Sequence, residues 1–93
     1  MKVHWTENAE AHLDAIYAWI AQDSISYALR TVDRLTQRSI QISEHPLSGR
    51  KVPEYELEQL REVIEPPYRI IYLTKPDQID IIAVHHSASP LQK

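Results

Sequence analysis

The sequence predicts an α+β protein in which an antiparallel sheet carries an N-terminal helical hairpin on one face. Two segments in the first half repeat apolar residues at helical spacing. Three shorter segments in the second half are rich in β-branched and aromatic residues. Proline-containing turns separate the predicted strands. The predicted order is β-α-α-β-β-β, and the simplest packing lays the two helices across one face of the sheet.

The first half of the chain predicts a short strand and two helices. Lys2 to Trp5 has alternating character, and Thr6 is placed to cap a helix from about Glu7 to Gln22. A second helix begins at Ser24 or Ser26 and ends near His45-Pro46, because proline disfavours helix in the residue before it. The predicted buried residues are Leu13, Ile16, Tyr17 and Ile20 in the first helix and Ala28, Val32, Leu35 and Ile42 in the second, with Leu29 flanking.

The second half predicts three strands. Leu60 to Glu65 and Tyr68 to Thr74 flank a Pro66-Pro67 corner, and the last strand runs from Ile79 to His85 after a proline-containing turn. Apolar residues on both faces of these strands predict a sheet that is at least partly covered on each side. Before them, the loop from Pro46 to Pro53 holds the only glycine of the chain, Gly49, which predicts a turn position with positive φ.

Arg69 is the residue that fits this pattern least well. It falls inside a strand with apolar residues on both faces, where an arginine is costly unless a partner compensates its charge. We expect Arg69 to pair with Glu62 or Glu65 on the preceding strand, or to cap backbone carbonyls.

Length and composition limit the classes of function. A chain of 93 residues predicts one domain, residues 1–93, with one modest core. Ten lysines and arginines against thirteen acidic residues give a net charge of −3, which weighs against nucleic acid as the main ligand. The chain has no cysteine, and no apolar run approaches the length of a membrane span. We therefore expect a cytoplasmic protein with no membrane contact.

Five motifs, in order along the chain, resemble the ParE/RelE superfamily of toxins from type II toxin–antitoxin modules. They are A-x-x-x-L-x-x-I-x-x-W-I (Ala9 to Ile20), PLSGRKVPE (Pro46 to Glu54), LREV (Leu60 to Val63), YRIIY (Tyr68 to Tyr72) and VHHSA (Val84 to Ala88). The resemblance covers nearly the whole chain. It implies the β-α-α-β-β-β toxin fold, a tightly bound antitoxin protein and growth arrest when that antitoxin is absent.

The superfamily divides by target, and the resemblance is greater to the ParE branch. ParE-type members poison DNA gyrase without cutting nucleic acid, whereas RelE-type members cut mRNA in the ribosomal A site. The GRKVPE block and the spacing of LREVI to PYRIIY are closer to ParE. ParE-type chains commonly end the last strand in H-x-A-R, but this chain has Ser89 in place of the arginine. A target contact from that position is therefore in question, and an inactive relic that only forms complexes is a further alternative.

The candidate site residues follow from these hypotheses. A gyrase-binding surface is predicted at Arg50, Arg61, Arg69 and His86. An endoribonuclease needs a general acid, a general base and cations for the phosphate, and Arg61, Arg69 and His86 are the residues that could supply them. An antitoxin-binding surface is predicted at Trp19, Tyr27, Arg30, Arg34 and Arg38, where an aromatic patch adjoins a basic helix stripe.

No cofactor or metal ion is expected. Adjacent strand residues point to opposite faces, so His85 and His86 cannot bind one ion together.

Overall fold

The computed structural model describes residues 1–87 and contains two helices and five strands. In chain order the elements are β1 (Lys2–Trp5), α1 (Glu7–Ala21), α2 (Ile25–Glu44), β2 (Arg50–Lys51), β3 (Leu60–Glu65), β4 (Tyr68–Thr74) and β5 (Gln78–His86). The α+β class and the predicted helical hairpin are confirmed. Neither helix in this part of the chain is long and apolar enough to cross a lipid bilayer.

The five strands form one mixed sheet in the order β1-β5-β4-β3-β2. The prediction of a purely antiparallel sheet was wrong at its first strand, because β1 pairs with β5 in parallel, Val3 opposite Ile79. The short β2 was predicted as loop, and it pairs antiparallel with β3, Arg50 opposite Glu62. The other pairs, β3–β4 and β4–β5, are antiparallel as predicted.

Both helices begin at the caps that the sequence predicts. The Thr6 hydroxyl accepts a hydrogen bond from the Ala9 N–H (3.2 Å), and the Ser24 hydroxyl accepts one from the Tyr27 N–H (3.1 Å). Each bond satisfies a backbone donor that the first helical turn leaves without a partner. The buried residues of α2 are Ala28, Thr31, Leu35 and Ile42, so the predicted stripe is correct except that Thr31 is buried and Val32 only half-buried.

Apolar residues pack on both faces of the sheet. On the helix side the core is formed by Ala9, Leu13, Leu35, Ile42, Val63, Ile70, Tyr72, Ile79, Ile81 and Val84. On the opposite face, which we call the outer face, a smaller cluster contains Val52, Leu60, Ile71 and Ala83. Strand alternation places Tyr68, Ile70 and Tyr72 towards the helices and Arg69 and Ile71 towards the outer face.

Gly49 does not have the positive φ that the sequence predicted. Within residues 1–87, the non-glycine residue with positive φ is Glu56 (53°). Close approach explains the glycine instead. A Cβ atom at Gly49 would lie 2.5 Å from the Glu62 carbonyl oxygen and 2.6 Å from the Tyr72 hydroxyl oxygen. The Gly49 N–H donates to that hydroxyl (3.1 Å), which in turn donates to the Pro46 carbonyl (2.7 Å), so the loop before β2 is tied to the centre of the sheet.

Candidate functional site

Arg69 lies at the centre of a buried ion network on the outer face. Its Nε and Nη2 atoms donate to Glu62 Oε1 (2.8 and 2.6 Å), and its Nη1 and Nη2 atoms donate to the two carboxylate oxygens of Glu54 (2.9 Å each). Arg50 closes the network from β2, with Nε donating to Glu62 Oε2 (2.5 Å). The predicted partner Glu62 is confirmed, while Glu65 faces the helix side. We call Arg50, Glu54, Glu62 and Arg69 the ion network.

The ion network is buried at its centre and open at one end. Arg69 is 4% exposed and Glu62 is 1% exposed, whereas the Arg50 side chain is 62% exposed. The hydrogen bonds that Arg69 donates to Glu54, and then those to Glu62, raise the pKa of Arg69 above its usual value, so the guanidinium stays charged. Two carboxylates already compensate that charge. The arrangement suits a rigid support for the adjacent surface better than a cation that captures phosphate.

Arg61 lies on the helix side of the sheet, opposite Tyr72 in the β3–β4 register. Its Nη1 atom donates to the Gly49 carbonyl (3.1 Å), and its Nε and Nη2 atoms donate to the carbonyl and the carboxylate of Glu58 (2.9 and 3.0 Å). The bonds to Glu58 hold the loop between β2 and β3 against the sheet, and the bond to Gly49 holds the loop before β2. Arg61 and Arg50 therefore border the same loop, but they approach it from opposite faces.

The side chains of the two histidines at the end of β5 leave opposite faces of the strand, although both border one groove beside the helices. His85 is opposite Arg69 in the β4–β5 register, and His86 is opposite Tyr68, whose ring it contacts edge-on at 5.9 Å between centroids. His86 thus lies on the helix side, away from the Arg69 guanidinium. Arg61, Arg69 and His86 do not converge on a common point.

His85 pairs instead with His12 of α1. Their ring centroids are 4.8 Å apart, and His12 Nδ1 accepts a hydrogen bond from the Val84 N–H (3.0 Å). Burial is the main cause that lowers the pKa of His85, and His12 and Arg69 lower it further. The neutral form of the His85 ring is therefore favoured.

Side chains from the start of α1 cover the edge of β5 beyond the end of β1. The Thr6 hydroxyl donates to the Ile81 carbonyl (2.9 Å), and the Asn8 amide donates to the Ile82 carbonyl (2.8 Å). The His12–Val84 bond continues this series. Three side chains thereby satisfy backbone groups that a longer β1 would have paired.

The predicted aromatic patch is part of an open groove of about 550 Å³ between the helical hairpin and the ends of β4 and β5. Trp19 is 74% exposed and Tyr27 is 46% exposed. The lining residues are His12, Ala15, Ile16, Trp19, Ile20, Tyr27, Pro67, Tyr68, Val84, His85 and His86. We call this the hairpin groove. Its lining is mostly apolar, with histidine and tyrosine side chains at the sheet end, which is the usual composition of a protein-binding or ligand-binding concavity.

The predicted basic stripe of α2 lies beside the hairpin groove. Arg30 stands over the Tyr27 ring, 5.8 Å from its centroid. Arg34 and Arg38 approach the Glu65 carboxylate at 4.0 and 3.8 Å, and Arg38 Nη2 donates to the Ile64 carbonyl (3.1 Å). The stripe therefore joins α2 to β3, and it also places positive charge along one side of the groove.

Sequence reasoning missed two parts of the site. The first is His12, which lines the groove together with Ile16 and Trp19. Their helical spacing places the three on one face of α1, so the sequence did contain this signal. Glu54 lies in a segment without periodicity, and nothing local connects it with Arg69. Ser89, where the family arginine is replaced, lies outside the described residues.

Comparison with known proteins identifies the family. The model of the ParE toxin family, described as the ParE toxin of the type II toxin–antitoxin system parDE, matches residues 3–90. The chain belongs to the ParE toxin family. It is also similar to Toxin RelE2 of Caulobacter vibrioides, with 35% identity over 88 residues that cover 94% of this chain and 96% of that protein. The chain is thus a toxin of the ParE/RelE superfamily.

Solved structures agree with this assignment. A chain of the chromosomal ParDE toxin–antitoxin system from P. aeruginosa superposes with a TM-score of 0.76 at 25% identity, covering 92% of this chain and 95% of that one. A chain of the RelBE2 toxin–antitoxin complex from Mycobacterium tuberculosis gives a TM-score of 0.68 at 19% identity, with coverage of 91% and 95%. The second likeness concerns the fold alone.

Proposed function

We propose that this ParE-family toxin arrests growth by binding and poisoning DNA gyrase, and that a cognate antitoxin neutralises it. The observation that carries the proposal is the separation of the residues that RNA cleavage would need. Arg61 and His86 lie on the helix side of the sheet, and the Arg69 guanidinium is buried on the outer face between Glu54 and Glu62. Phosphoryl transfer requires its acid, base and cation within hydrogen-bonding reach of one phosphate. A function through protein contact requires no such convergence.

The loop bordered by Arg50 and Arg61 is the candidate gyrase-binding surface. Arg50 extends from the ion network into solvent, and Lys51 beside it is exposed as well. Arg69 and Arg61 are held by carboxylate and carbonyl acceptors, so their role on this surface is to position the loop rather than to contact the target directly.

The hairpin groove is the candidate antitoxin site. Its apolar lining and the exposed Trp19 suit the apolar face of an amphipathic segment, and Arg30, Arg34 and Arg38 offer positive charge to acidic residues of the same segment. The family model that matches the chain and the solved structure at 25% identity both come from ParDE toxin–antitoxin systems, which supports an antitoxin as the partner of this chain.

A gyrase assay tests the proposal. Purified toxin is added to gyrase and relaxed plasmid, and both supercoiling and accumulated double-strand cleavage are measured. We expect inhibition and trapped cleaved DNA, with Arg50→Ala weakening the effect. The matched control is Glu10→Ala, at an exposed position in the first turn of α1, and this variant should inhibit gyrase as the wild type does. Absence of any effect at large toxin excess would reject gyrase as the target.

Similarity to a protein named Toxin RelE2 supports a second candidate, a ribosome-dependent mRNA endoribonuclease. The groups nearest to such chemistry are His85, opposite Arg69 in the register, and His12 beside it. Cleavage of mRNA on stalled ribosomes, abolished by His85→Ala while the thermal transition is retained, would establish this candidate. If the toxin is inactive in both assays, the remaining hypothesis is an inactive toxin fold that only forms complexes.

A further inference from the structure

His12 holds the edge of β5 through a ring nitrogen that can also take up a proton. Beyond the end of β1, that edge is covered by the side chains of Thr6, Asn8 and His12. Thr6 and Asn8 donate to backbone carbonyls, and neither side chain changes charge near neutral pH. His12 does the opposite, because its Nδ1 atom accepts the Val84 N–H (3.0 Å). Of the three bonds, this one depends on the protonation state of a side chain.

An imidazole ring accepts a hydrogen bond only at a nitrogen that carries no proton. In the neutral ring one nitrogen donates and the other accepts, whereas in the cation both nitrogens donate. A protonated His12 would direct an N–H group at the Val84 N–H, so the bond has to break and the ring has to turn away. Val84 is 3% exposed, and a buried N–H that loses its acceptor is costly. Protonation of His12 thus opposes the attachment of α1 to β5.

His85 lies against the His12 ring. The two ring centroids are 4.8 Å apart, at an interplanar angle of 50°. Two imidazolium rings at this distance repel each other, so a proton on one ring opposes a proton on the other. Burial lowers the pKa of His85 most, and His12 and then Arg69 lower it further. The contact between the two rings is therefore unfavourable once both are protonated.

The other ionisable groups that face the pair come from three elements. They are Tyr27 on α2, Tyr68 and Arg69 on β4, and His86 on β5. Each of these is neutral or cationic at neutral pH, so none of the four stabilises an additional positive charge. On α1 itself, Glu10 and Asp14 are two positions from His12, which places them about 160° around the helix from it.

We propose that His12 and His85 form a pH-sensitive latch at the sheet end of the hairpin groove. With both rings uncharged the latch fastens α1 to the edge of β5, and protonation of His12 releases it. The Thr6 and Asn8 bonds do not depend on pH, so the release is confined to the histidine end of the groove. It also brings positive charge into a mostly apolar lining, so an apolar segment that covers this end binds more weakly at acid pH.

For the antitoxin, that last consequence rests on the function proposed above. The latch itself is a property of the toxin alone, so it is tested without antitoxin or gyrase.

The test is NMR spectroscopy of the isotope-labelled full chain from about pH 7.5 to about pH 5.5, the interval in which histidine side chains change charge. The ring signals of His12 and the backbone amide of Val84 are followed together. We expect a common midpoint. Protection of the Val84 amide against hydrogen exchange, corrected for the intrinsic effect of pH, should fall by at least about fivefold, the factor that one net hydrogen bond represents.

His12→Asn separates the latch from general destabilisation by acid. The asparagine Oδ1 atom takes the place of Nδ1 and accepts the Val84 N–H at every pH, so the protection of Val84 should no longer fall. In the same variant His85 should take up its proton at a higher pH, since one of the causes that lower its pKa is removed. The matched control is His4→Asn, at an exposed position on β1, which should behave as the wild type does.

Three results would overturn the proposal. They are a His12 ring that stays uncharged over the whole interval, a Val84 amide whose protection does not follow the His12 ring, and an equal loss of protection in His12→Asn. Each of these would leave the proposed function intact, and a toxin without effect on gyrase would leave the latch intact.

Discussion

Removing the Arg69 guanidinium should destabilise the chain more than any other single change on the outer face. Arg69→Met keeps most of the side-chain length but removes the guanidinium. The fully buried Glu62 carboxylate then keeps its ion pair with Arg50 and loses the one with Arg69. Glu54 loses both charge-assisted hydrogen bonds from Arg69. Breaking a buried ion pair by removing one member typically costs about 3–5 kcal/mol. Because Arg50 still compensates part of the Glu62 charge, we expect about 3 kcal/mol, the lower end of that range.

The assay is urea denaturation followed by circular dichroism. For a chain of this size a loss of about 3 kcal/mol corresponds to a fall in the melting temperature of roughly 12–24 °C, and the urea midpoint should fall by roughly 1–3 M. Lys51→Ala is the matched control, because its ion pair with Glu58 is exposed at both ends and exposed ion pairs contribute about 1 kcal/mol or less.

A second variant separates charge from packing. Arg69→Met combined with Glu62→Leu removes the stranded carboxylate together with its partner, so it should recover part of the lost stability. The reasoning is refuted if Arg69→Met lowers the free energy of unfolding by less than about 1 kcal/mol, the size of an exposed pair.

Three further predictions concern the loop, the core and the histidine pair. Gly49→Ala should cost about 1–3 kcal/mol, because its Cβ would overlap the Glu62 carbonyl; urea unfolding checks this, and an unchanged midpoint would contradict it. Tyr72→Phe should cost about 1–3 kcal/mol, since the Gly49 N–H and the Pro46 carbonyl lose their shared partner; retention of full stability would show that water replaces the hydroxyl. The pKa of His85 is lowered in the folded chain, so the unfolded chain binds its proton first and stability should fall as the pH drops below about 6.5. Thermal scans of the wild type and of His85→Gln between about pH 7.5 and pH 5.5 measure this, and an equally steep loss in the variant would assign the effect to other groups.

The sequence was sufficient for the parts of the fold that local pattern determines. Helical periodicity and the caps at Thr6 and Ser24 located both helices, and β-branched residues located β3, β4 and β5. The parallel pairing of β1 could not be predicted, because four alternating residues do not specify the direction of a neighbour that is more than seventy positions away. The two-residue β2 carries no periodicity at all.

In the candidate site, too, local pattern predicted some features and tertiary packing determined the others. The unusual position of Arg69 in a buried strand correctly indicated a carboxylate partner, and Glu62 on the neighbouring strand was within reach of that reasoning. Glu54 reaches Arg69 through a non-repetitive loop, whose path depends on tertiary packing. Gly49 was recognised as special for the wrong reason, because a single sequence does not distinguish a backbone turn from a close approach to another chain segment.

Direct binding between the purified toxin and gyrase, measured with the enzyme immobilised and the toxin titrated, is the most immediate test of whether this protein acts by contact rather than by cleavage. We expect saturable binding that is reduced by Arg50→Ala. If gyrase shows no binding at any toxin concentration while the same preparation cuts mRNA on ribosomes, the account is contradicted.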